Sequence, residues 1–472
     1  MYGRIHEDLS TRLTPPSRKR TVFRGAHKPS LPNLRQYDTS SRMWYFLYNI
    51  ILLVSAPVII LILLLKKRCR RGFGQRLGLA LPEEFSSDKE VLWIHAVSMG
   101  EVLAVVPLVT AIHHAYPHLA IIISTITDTG REAVEQRLSG IARHCYLPLD
   151  WPWTVRQFIR HLRPKAFLVV ETELWPNLLK ELQAHGVSSV LVNGRLSTKS
   201  FERYLRVKSF MKHVLSSFSL CLVQSDRDAR RLIALGAKGE WVHRTGNMKF
   251  DVELVGIDGQ ENRIGPQLID LHDGEILIVA GSTHPKEEEE LLSCYQDILE
   301  EYPQAVVLMA PRHIERSDQL EDTIRSFGFE VVRRSRLGTH ESGSIAGTRP
   351  RVIVLDTRGE LAQVYALARV TFVGGTFVPV GGHNLLEPAS WGKPVLFGPF
   401  TDHCQEIADL LLESGGGSQV RDGREMASLV VNILSDQPLA DRMGQAARQV
   451  VLDNQGVVKR NMELLRPLLE KT

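Results

Sequence analysis

Residues 91–102 read Val-Leu-Trp-Ile-His-Ala-Val-Ser-Met-Gly-Glu-Val: an apolar run from Val91 to Val97, a turn over Ser98-Met99-Gly100-Glu101, and a helical stretch opening at Val102. A short apolar strand that feeds a helix is the repeating unit of a parallel sheet. The unit recurs, and Ile121 to Thr127, Ala166 to Glu171, Ser189 to Asn193 and Leu220 to Gln224 complete a first set of strands. A second set follows Asp251, with Ile276 to Gly281, Ala305 to Ala310, Glu330 to Val332, Val352 to Leu355, Val370 to Val373 and Pro394 to Phe397. Between the sets, Val252 to Gly274 is polar and glycine-containing, the composition of a linker. The alternation predicts an α/β protein with two doubly wound, Rossmann-like domains, residues 66–251 and 275–472, joined by 252–274. A chain of 472 residues, 44% hydrophobic and 23% charged, is long and apolar enough to bury both cores.

Upstream of the first domain, Trp44 to Leu65 is a run of 22 residues in which Asn49 is the one strongly polar side chain. At about 1.5 Å per residue it reaches roughly 33 Å, enough for a hydrocarbon core of about 30 Å. Trp44, Tyr45 and Tyr48 crowd one end and Lys66, Lys67, Arg68, Arg70 and Arg71 the other. Residues 43–65 are therefore expected to be a single-pass signal-anchor that leaves the large C-terminal body in the cytoplasm. A cleaved signal peptide would be shorter, with its positive flank on the other side. Residues 1–42 are basic too, with nine Lys and Arg, and oppose that orientation. Met43 as the true start removes the conflict; otherwise 1–42 is expected to be a disordered basic tail.

Charge is divided unevenly, with 14 Lys and Arg against 3 Asp and Glu in residues 1–71 but 43 against 50 in the other 401. An acidic folded body argues against nucleic acid as a partner. Cys69, Cys145, Cys221, Cys294 and Cys404 are widely spaced and form no C-x-x-C pair, which fits a reducing compartment.

Open parallel sheets bind ligands beyond the carboxyl ends of their strands, so the residues there carry the functional signal. Glu101 falls at the start of a helix beside such an end, where it can serve the helix dipole or act as a general base for a hydroxyl. Glu171-Thr172-Glu173-Leu174-Trp175-Pro176-Asn177 sets two carboxylates beside a Trp-Pro break. Lys249, in Thr245-Gly246-Asn247-Met248-Lys249-Phe250-Asp251, can hold developing negative charge or lie solvated at the surface. In the second domain, Val373-Gly374-Gly375-Thr376 leads to Gly381-Gly382-His383-Asn384-Leu385-Leu386-Glu387-Pro388, whose backbone N–H groups are suited to a phosphate. Asn384 and Glu387, three apart, can hold phosphate and ribose or form a capping box. Ala310-Pro311-Arg312-His313 and Leu355-Asp356-Thr357-Arg358-Gly359-Glu360 close two more strands, and Arg312 suits a phosphoryl group. Asp226-Arg227-Asp228 has a metal-binding form but opens a helix, where aspartates cap. His114 and His118 have helical spacing, but Pro117 breaks the shared face, and no metal site is expected.

Taken in order, Ser98 to Glu101, Glu171 to Asn177, Asn193-Gly194-Arg195, Gly246 to Lys249, Pro311 to His313 and Gly381 to Pro388 resemble the motifs of the Kdo transferases of lipopolysaccharide assembly. The likeness covers Met43 to the carboxyl terminus. It implies a glycosyltransferase fold of the B type, in an inverting enzyme at the cytoplasmic face of the inner membrane that moves Kdo from CMP-Kdo to the lipid A precursor, lipid IVA. CMP-Kdo is then a donor substrate, and neither cofactor nor metal is implied. By matching motif, Glu101 resembles the family's general base, and Glu171 and Lys249 its transition-state stabilisers. Pro311 and Arg312, Arg358 to Glu360 (including Gly359), and Asn384, Leu385, Leu386 and Glu387 resemble its CMP-binding segments. Arg358 departs from the family pattern, where an apolar residue is usual before Gly-Glu. A UDP-sugar transferase acting on another membrane lipid, or a nucleotide-sugar epimerase, would share the same architecture.

Overall fold

The computed structural model describes residues 39–65, 71–83, 89–252, 264–337 and 350–470, so residues 1–38 of the expected 1–42 tail and 253–263 of the expected linker lie outside the described residues. Two seven-stranded sheets form the frame. The first contains β1 (Glu90–His95), β2 (Leu119–Thr125), β3 (Ala142–Tyr146), β4 (Pro164–Val170), β5 (Ser188–Gly194), β6 (Phe218–Val223) and β7 (Val242–Arg244), in the order 3-2-1-4-5-6-7. The second contains β8 (Ile276–Thr283), β9 (Ala305–Pro311), β10 (Glu330–Arg333), β11 (Arg351–Val354), β12 (Val370–Val373), β13 (Val395–Phe397) and β14 (Gly417–Gln419), in the order 10-11-9-8-12-13-14. Every paired neighbour is parallel.

Central strands are buried on both faces, which is why they read as unbroken apolar runs. Leu92, Trp93, Ile94 and the whole of β2 are buried, and the Trp93 indole donates to Ser124 Oγ at 2.9 Å. The expected strands are all present to within a few residues. Sequence reading missed β3, β7 and β14, which lie at or next to sheet edges or span three residues. β3, Ala-Arg-His-Cys-Tyr, leaves Arg143 exposed, and an edge strand needs no apolar run on its outer side.

In each sheet the strand order reverses once, between β1 and β4 and between β8 and β12. Helices from the two connections diverge at such a point and leave a crevice at the carboxyl ends. The two crevices receive Ser98–Glu101 and Glu171 in the first domain and Gly374–Gly375 in the second, all singled out by sequence, and beside the latter Thr283–Glu287, which was not.

The last helix, Val457–Leu469, departs from the expected division at 275–472. Val457, Leu465 and Leu469 are buried in the core of the first domain with Val102, Val105 and Val109. Asp251 holds the start of that helix, its carboxylate accepting from Gly456 N at 2.7 Å and Val458 N at 2.6 Å, and Arg460 Nε donates to Thr245 O at 2.8 Å. The chain thus crosses between domains twice.

A 27-residue helix, Thr39–Leu65, precedes the first domain and begins four residues ahead of the expected anchor. Its stretch Arg42–Leu65, with a mean hydropathy of 2.7 over its most apolar 18 residues, is long and apolar enough to cross a membrane. Its aromatic end packs on Phe210 of helix Lys208–Leu215, with ring centroids at 6.0 Å for Trp44, 5.5 Å for Tyr45 and 5.8 Å for Tyr48.

Candidate active site

A cavity of about 1170 Å³ lies between the domains. Ser98, Glu101, Glu171, Arg195 and Lys249 line it from the first domain, and Gly359, His383, Asn384, Glu387 and His403 from the second. Glu101 and the Asn384 to Glu387 turn therefore face one shared cleft, the arrangement a two-substrate reaction requires.

The helix after β1 starts at Met99, three residues earlier than the turn suggested, so Glu101 stands in its first turn. Its Oε2 accepts from Val97 N at 2.7 Å, and Ser98 Oγ donates to Oε1 at 3.5 Å. Glu101 thus serves the helix start and also lines the cavity. Burial, followed by the like charge of Glu171, pushes its carboxyl from the usual 4.5 up to about 8. The Val97 and Ser98 bonds pull the other way without prevailing.

Glu171 directly follows β4 with φ 58°, left-handed backbone that a side-chain-bearing residue adopts at a cost of about 1–2 kcal/mol. Its amide remains in the sheet ladder, donating to Val192 O at 2.9 Å, while Thr172 hydrogen-bonds the backbone of Arg195. The strained turn thereby ties the acidic loop to the Asn193-Gly194-Arg195 loop. Glu173 is pushed up to about 7 by burial and then by Glu171.

Lys249 occupies a short 3-10 turn, Met248–Asp251. Asn247 caps it by accepting from Lys249 N at 3.1 Å, and Asn193, at φ 55°, accepts from Met248 N at 2.9 Å. Asn247 Nδ2 also donates across the cleft to Glu406 Oε2 at 2.9 Å, and Arg195 Nη2 to Asp402 O at 2.6 Å. These two contacts from the first domain to the second hold Lys249 and Arg195 beside the wall formed by His403 and Cys404.

The second domain corrects one expectation. The Gly374 amide stays in the sheet ladder, donating to Gly281 O at 2.8 Å, and that of Gly375 is taken by Glu287, a buried residue in the first turn of helix Glu287–Glu301. Its carboxylate accepts from Gly375 N at 2.7 and 3.0 Å, His284 N at 2.7 Å and Phe377 N at 3.4 Å. That turn is an internal tie, so a phosphate finds its donors elsewhere. Leu385 and Leu386 are likewise core residues, 0% and 1% exposed, and it is Asn384 and Glu387 of that turn that line the cavity. Asn384 and Glu387 do share a face: Asn384 Nδ2 donates to Glu387 Oε1 at 3.0 Å while its Oδ1 accepts from Leu386 N at 3.1 Å. Burial raises the Glu387 carboxyl, with Arg312 acting to lower it, which brings Arg312 into the same electrostatic neighbourhood. Pro311 is buried at the end of β9 and Arg358 is exposed. Glu360 points away from the cavity into an ion pair with Arg334 at 2.9 Å, leaving Gly359 as the residue of that turn on the lining.

Sequence reading missed a histidine cluster. His284 and His383 stack at 5.1 Å with their Nε2 atoms 2.8 Å apart, and His313 lies 6.0 Å from His284. Burial and neighbouring cations push His383 down to about 4. Neither His284 nor His383 stands next to its partner in sequence; the β8–β12 reversal brings them together. The Asp226-Arg227-Asp228 segment is structural as expected, with Asp228 buried and accepting from Leu196 N at 2.8 Å.

The family model described as 3-deoxy-D-manno-octulosonic-acid transferase (kdotransferase) matches residues 71–252. A 3-deoxy-D-manno-octulosonic acid transferase of Haemophilus influenzae is 33% identical over 434 residues, covering 91% of this chain and 100% of the relative. Among solved structures, a UDP-GlcNAc 2-epimerase from Neisseria meningitidis bound to UDP-GlcNAc has a TM-score of 0.56 at 12% identity, covering 80% of this chain and 99% of that one. A glycosyltransferase from Rickettsia africae has a TM-score of 0.54 at 12% identity, covering 82% and 100%. At that identity the two structures share the two-domain fold and leave epimerase and transferase undivided; the sequence relative divides them.

Proposed function

The chain belongs to the 3-deoxy-D-manno-octulosonic acid (Kdo) transferases, glycosyltransferases of lipopolysaccharide biosynthesis, and on that footing we propose that its cleft moves Kdo from CMP-Kdo to a hydroxyl of the lipid A precursor, lipid IVA. The observation that carries the proposal is the single cavity lined by Glu101 on one side and Asn384 and Glu387 on the other. A base and a nucleotide grip on opposite walls are what an in-line, inverting displacement needs.

In this reading Glu101 takes the proton of the acceptor hydroxyl as its oxygen forms a bond to the anomeric carbon of Kdo. The bond from that carbon to the CMP phosphate oxygen breaks, and CMP leaves with the electron pair. Its raised proton affinity supports the role, since a carboxyl near 8 accepts a proton far more readily than an ordinary one. Glu171 and Lys249 stabilise the charge that develops between the walls, and Arg312, Gly359, Asn384 and Glu387 hold CMP. Positive side chains at Lys249, Arg195 and Arg312 supply the counter-charge for the leaving phosphate, and CMP-Kdo is donor rather than cofactor. The apolar helix Thr39–Leu65 anchors the enzyme, and the Lys-Arg run after it supports a catalytic body on the cytoplasmic side of the inner membrane.

Incubation of the purified chain with CMP-Kdo and tetraacyl lipid A precursor, followed by mass spectrometry, tests donor and acceptor together. Expected is a product heavier by one or more Kdo units. No mass gain with CMP-Kdo, or heat protection by UDP and none by CMP, would assign a different donor.

A further inference from the structure

The histidine cluster of the second domain has no part in the chemistry described so far. His284 directly follows β8, His383 directly precedes Asn384, and both are half-buried. Their ring planes lie within 5° of each other, and the two Nε2 atoms meet at 2.8 Å, a hydrogen-bond distance. Two neutral imidazoles can make that bond, since each ring has one N–H and one lone pair; two imidazolium rings cannot, since every nitrogen is then a donor. Burial, then His284, Arg312, His403 and His313, hold His383 down to about 4, and burial, then His313, Arg312 and Arg316, lower His284. The nearby acids are engaged elsewhere: Glu288 pairs with Arg316 at 3.0 Å, Glu315 lies 3.4 Å from His313, Glu387 holds the Asn384 amide, and Glu287 holds backbone amides. The pair is therefore neutral around pH 7.

The backbone around the pair is built to hold it. A Cβ at Gly375 would come within 3.0 Å of His383 Cδ2 and Nε2, so that edge of the ring lies against the glycine turn. Ser282 and Lys286, on either side of His284, have φ 57° and 74°, left-handed backbone that a merely packed loop would relax, and Glu287 accepts from His284 N at 2.7 Å. With Nε2 turned to His284 and Cδ2 to Gly375, Nδ1 is the polar atom that His383 offers to the cavity it lines. When His284 gives the bridging proton, His383 carries its own proton on Nδ1 and the cavity meets an N–H; when His383 gives it, the cavity meets a lone pair. The first arrangement leaves the lone pair on His284, the ring on which His313, Arg312 and Arg316 act, and an anion in the cleft favours the same arrangement. Phosphate is the anion that fits. Asn384, the next residue, and Glu387 line the nucleotide wall, Arg312 acts on both His383 and Glu387, and the Gly374 and Gly375 amides are already taken within the domain.

We propose that, within the CMP-Kdo reading on which this rests, His383 donates its Nδ1–H to the phosphate of CMP as a neutral hydrogen-bond donor, and that His284 is the positioning residue that fixes the donating tautomer. His284 does so through the Nε2 bridge, without touching the nucleotide. A neutral donor keeps its bond at the pH where Glu101 becomes ionised, near 8, whereas an imidazolium of ordinary proton affinity has lost its charge there.

The test is calorimetric titration of the full chain with CMP and with cytidine, which lacks the phosphate. His383→Asn sets an amide where Nδ1 stood and should bind CMP within about threefold of the parent. His383→Gln, whose amide reaches the place of Nε2 instead, and His383→Leu should each weaken CMP about tenfold and leave cytidine unchanged. His284→Gln can still give the bridging proton and should keep CMP affinity, while His284→Leu should lose about as much as His383→Leu. The ratio of parent to His383→Leu affinities should stay constant from pH 6.5 to pH 8.5. Equal loss of CMP and cytidine in His383→Leu makes the ring structural, and a ratio that falls as pH rises makes it a cation; either overturns the proposal, as does unchanged CMP affinity. Should the leucine variants fail to fold, nitrogen-15 spectra of the parent with CMP decide, the His383 signals being identified by their loss in His383→Asn: the Nδ1–H tautomer supports the proposal, and the Nε2–H tautomer refutes it. CMP binding without these differences sinks the histidine assignment alone. No binding of CMP to the parent sinks the CMP-Kdo reading and this assignment with it.

Discussion

Replacing Glu101 by Gln should make the protein more stable as it makes it inactive, and the two effects can be sized from the site. The carboxyl stands near 4.5 in the unfolded chain and about 8 in the folded one. Between those values the folded state binds more protons, so its stability falls as pH rises from about 4.5 to about 8. At 1.36 kcal/mol per unit the full interval corresponds to about 5 kcal/mol, and water entering the open cleft screens part of it, leaving about 2 kcal/mol. Gln does not ionise and keeps an oxygen for the Val97 amide. Glu101→Gln should therefore match the parent near pH 5 and gain on it up to pH 8, where about 2 kcal/mol raises Tm by roughly 4–8 °C for a domain of this size. Transfer from CMP-Kdo should fall by roughly 100-fold to 10,000-fold, the usual contribution of a general base. Calorimetry from pH 5 to pH 9 beside a product assay reads both. A Tm difference that is the same at pH 5 and pH 8 would refute the desolvation argument, and near-normal turnover would remove Glu101 from the chemistry.

Other outcomes follow from the same geometry. In the parent enzyme kcat/KM should rise with pH through the region near 8, because the carboxyl must be ionised to act, and a flat profile from pH 6 to pH 9 contradicts that. Lys249→Met should lower kcat on the order of 100-fold while CMP still protects the second domain from heat; lost protection would make the lysine part of the nucleotide grip. Asn384→Ala removes the partner of Glu387 and the acceptor of Leu386 N, and should weaken CMP binding about tenfold by calorimetry with CMP-free stability nearly unchanged. Glu287→Ala strands the amides of His284, Gly375 and Phe377 and should destabilise the second domain by about 3 kcal/mol or more in urea unfolding, although Glu287 does not line the cavity.

What could be read from sequence follows physical lines. Strands buried on both faces, such as β2, announce themselves as apolar runs, whereas β3 with its exposed Arg143 carries no such mark and is held by its neighbour. Residues just after a central strand, Glu101 and Glu171, were legible because doubly wound topology sends every such position toward the crevice. Partnerships across long separations were not. Nothing local in Glu287 signals that it will occupy the Gly375 amide 88 residues away, so a glycine turn that looks like an anion cradle proves to be filled from within. His284 and His383 are 99 apart and meet through strand order alone. The last helix reads as part of the second domain by position, and only Asp251, 205 residues before Gly456, draws it back to the first.

The first-domain wall concentrates unfavourable terms that a purely structural loop would relax. A glutamate that merely completes a helix start sits near water and helix N–H groups, and both pull its carboxyl below the ordinary value. Glu101 has such a bond from Val97 and is nonetheless pushed up, because burial and the like charges of Glu171 and Glu173 outweigh it. Glu173 is raised to about 7 by burial and then by Glu171, and Glu171, the residue both others repel, is held in left-handed backbone. Three costs gathered at the ends of two adjacent strands are hard to reconcile with selection for stability. They are what a proton acceptor needs: at pH 7 a carboxyl near 8 is ionised in roughly one molecule in ten, yet each ionised copy is a much stronger base than a solvated one. The stabilisation expected of Glu101→Gln is the same quantity seen from the side of folding, which is why melting and turnover must move together in that variant.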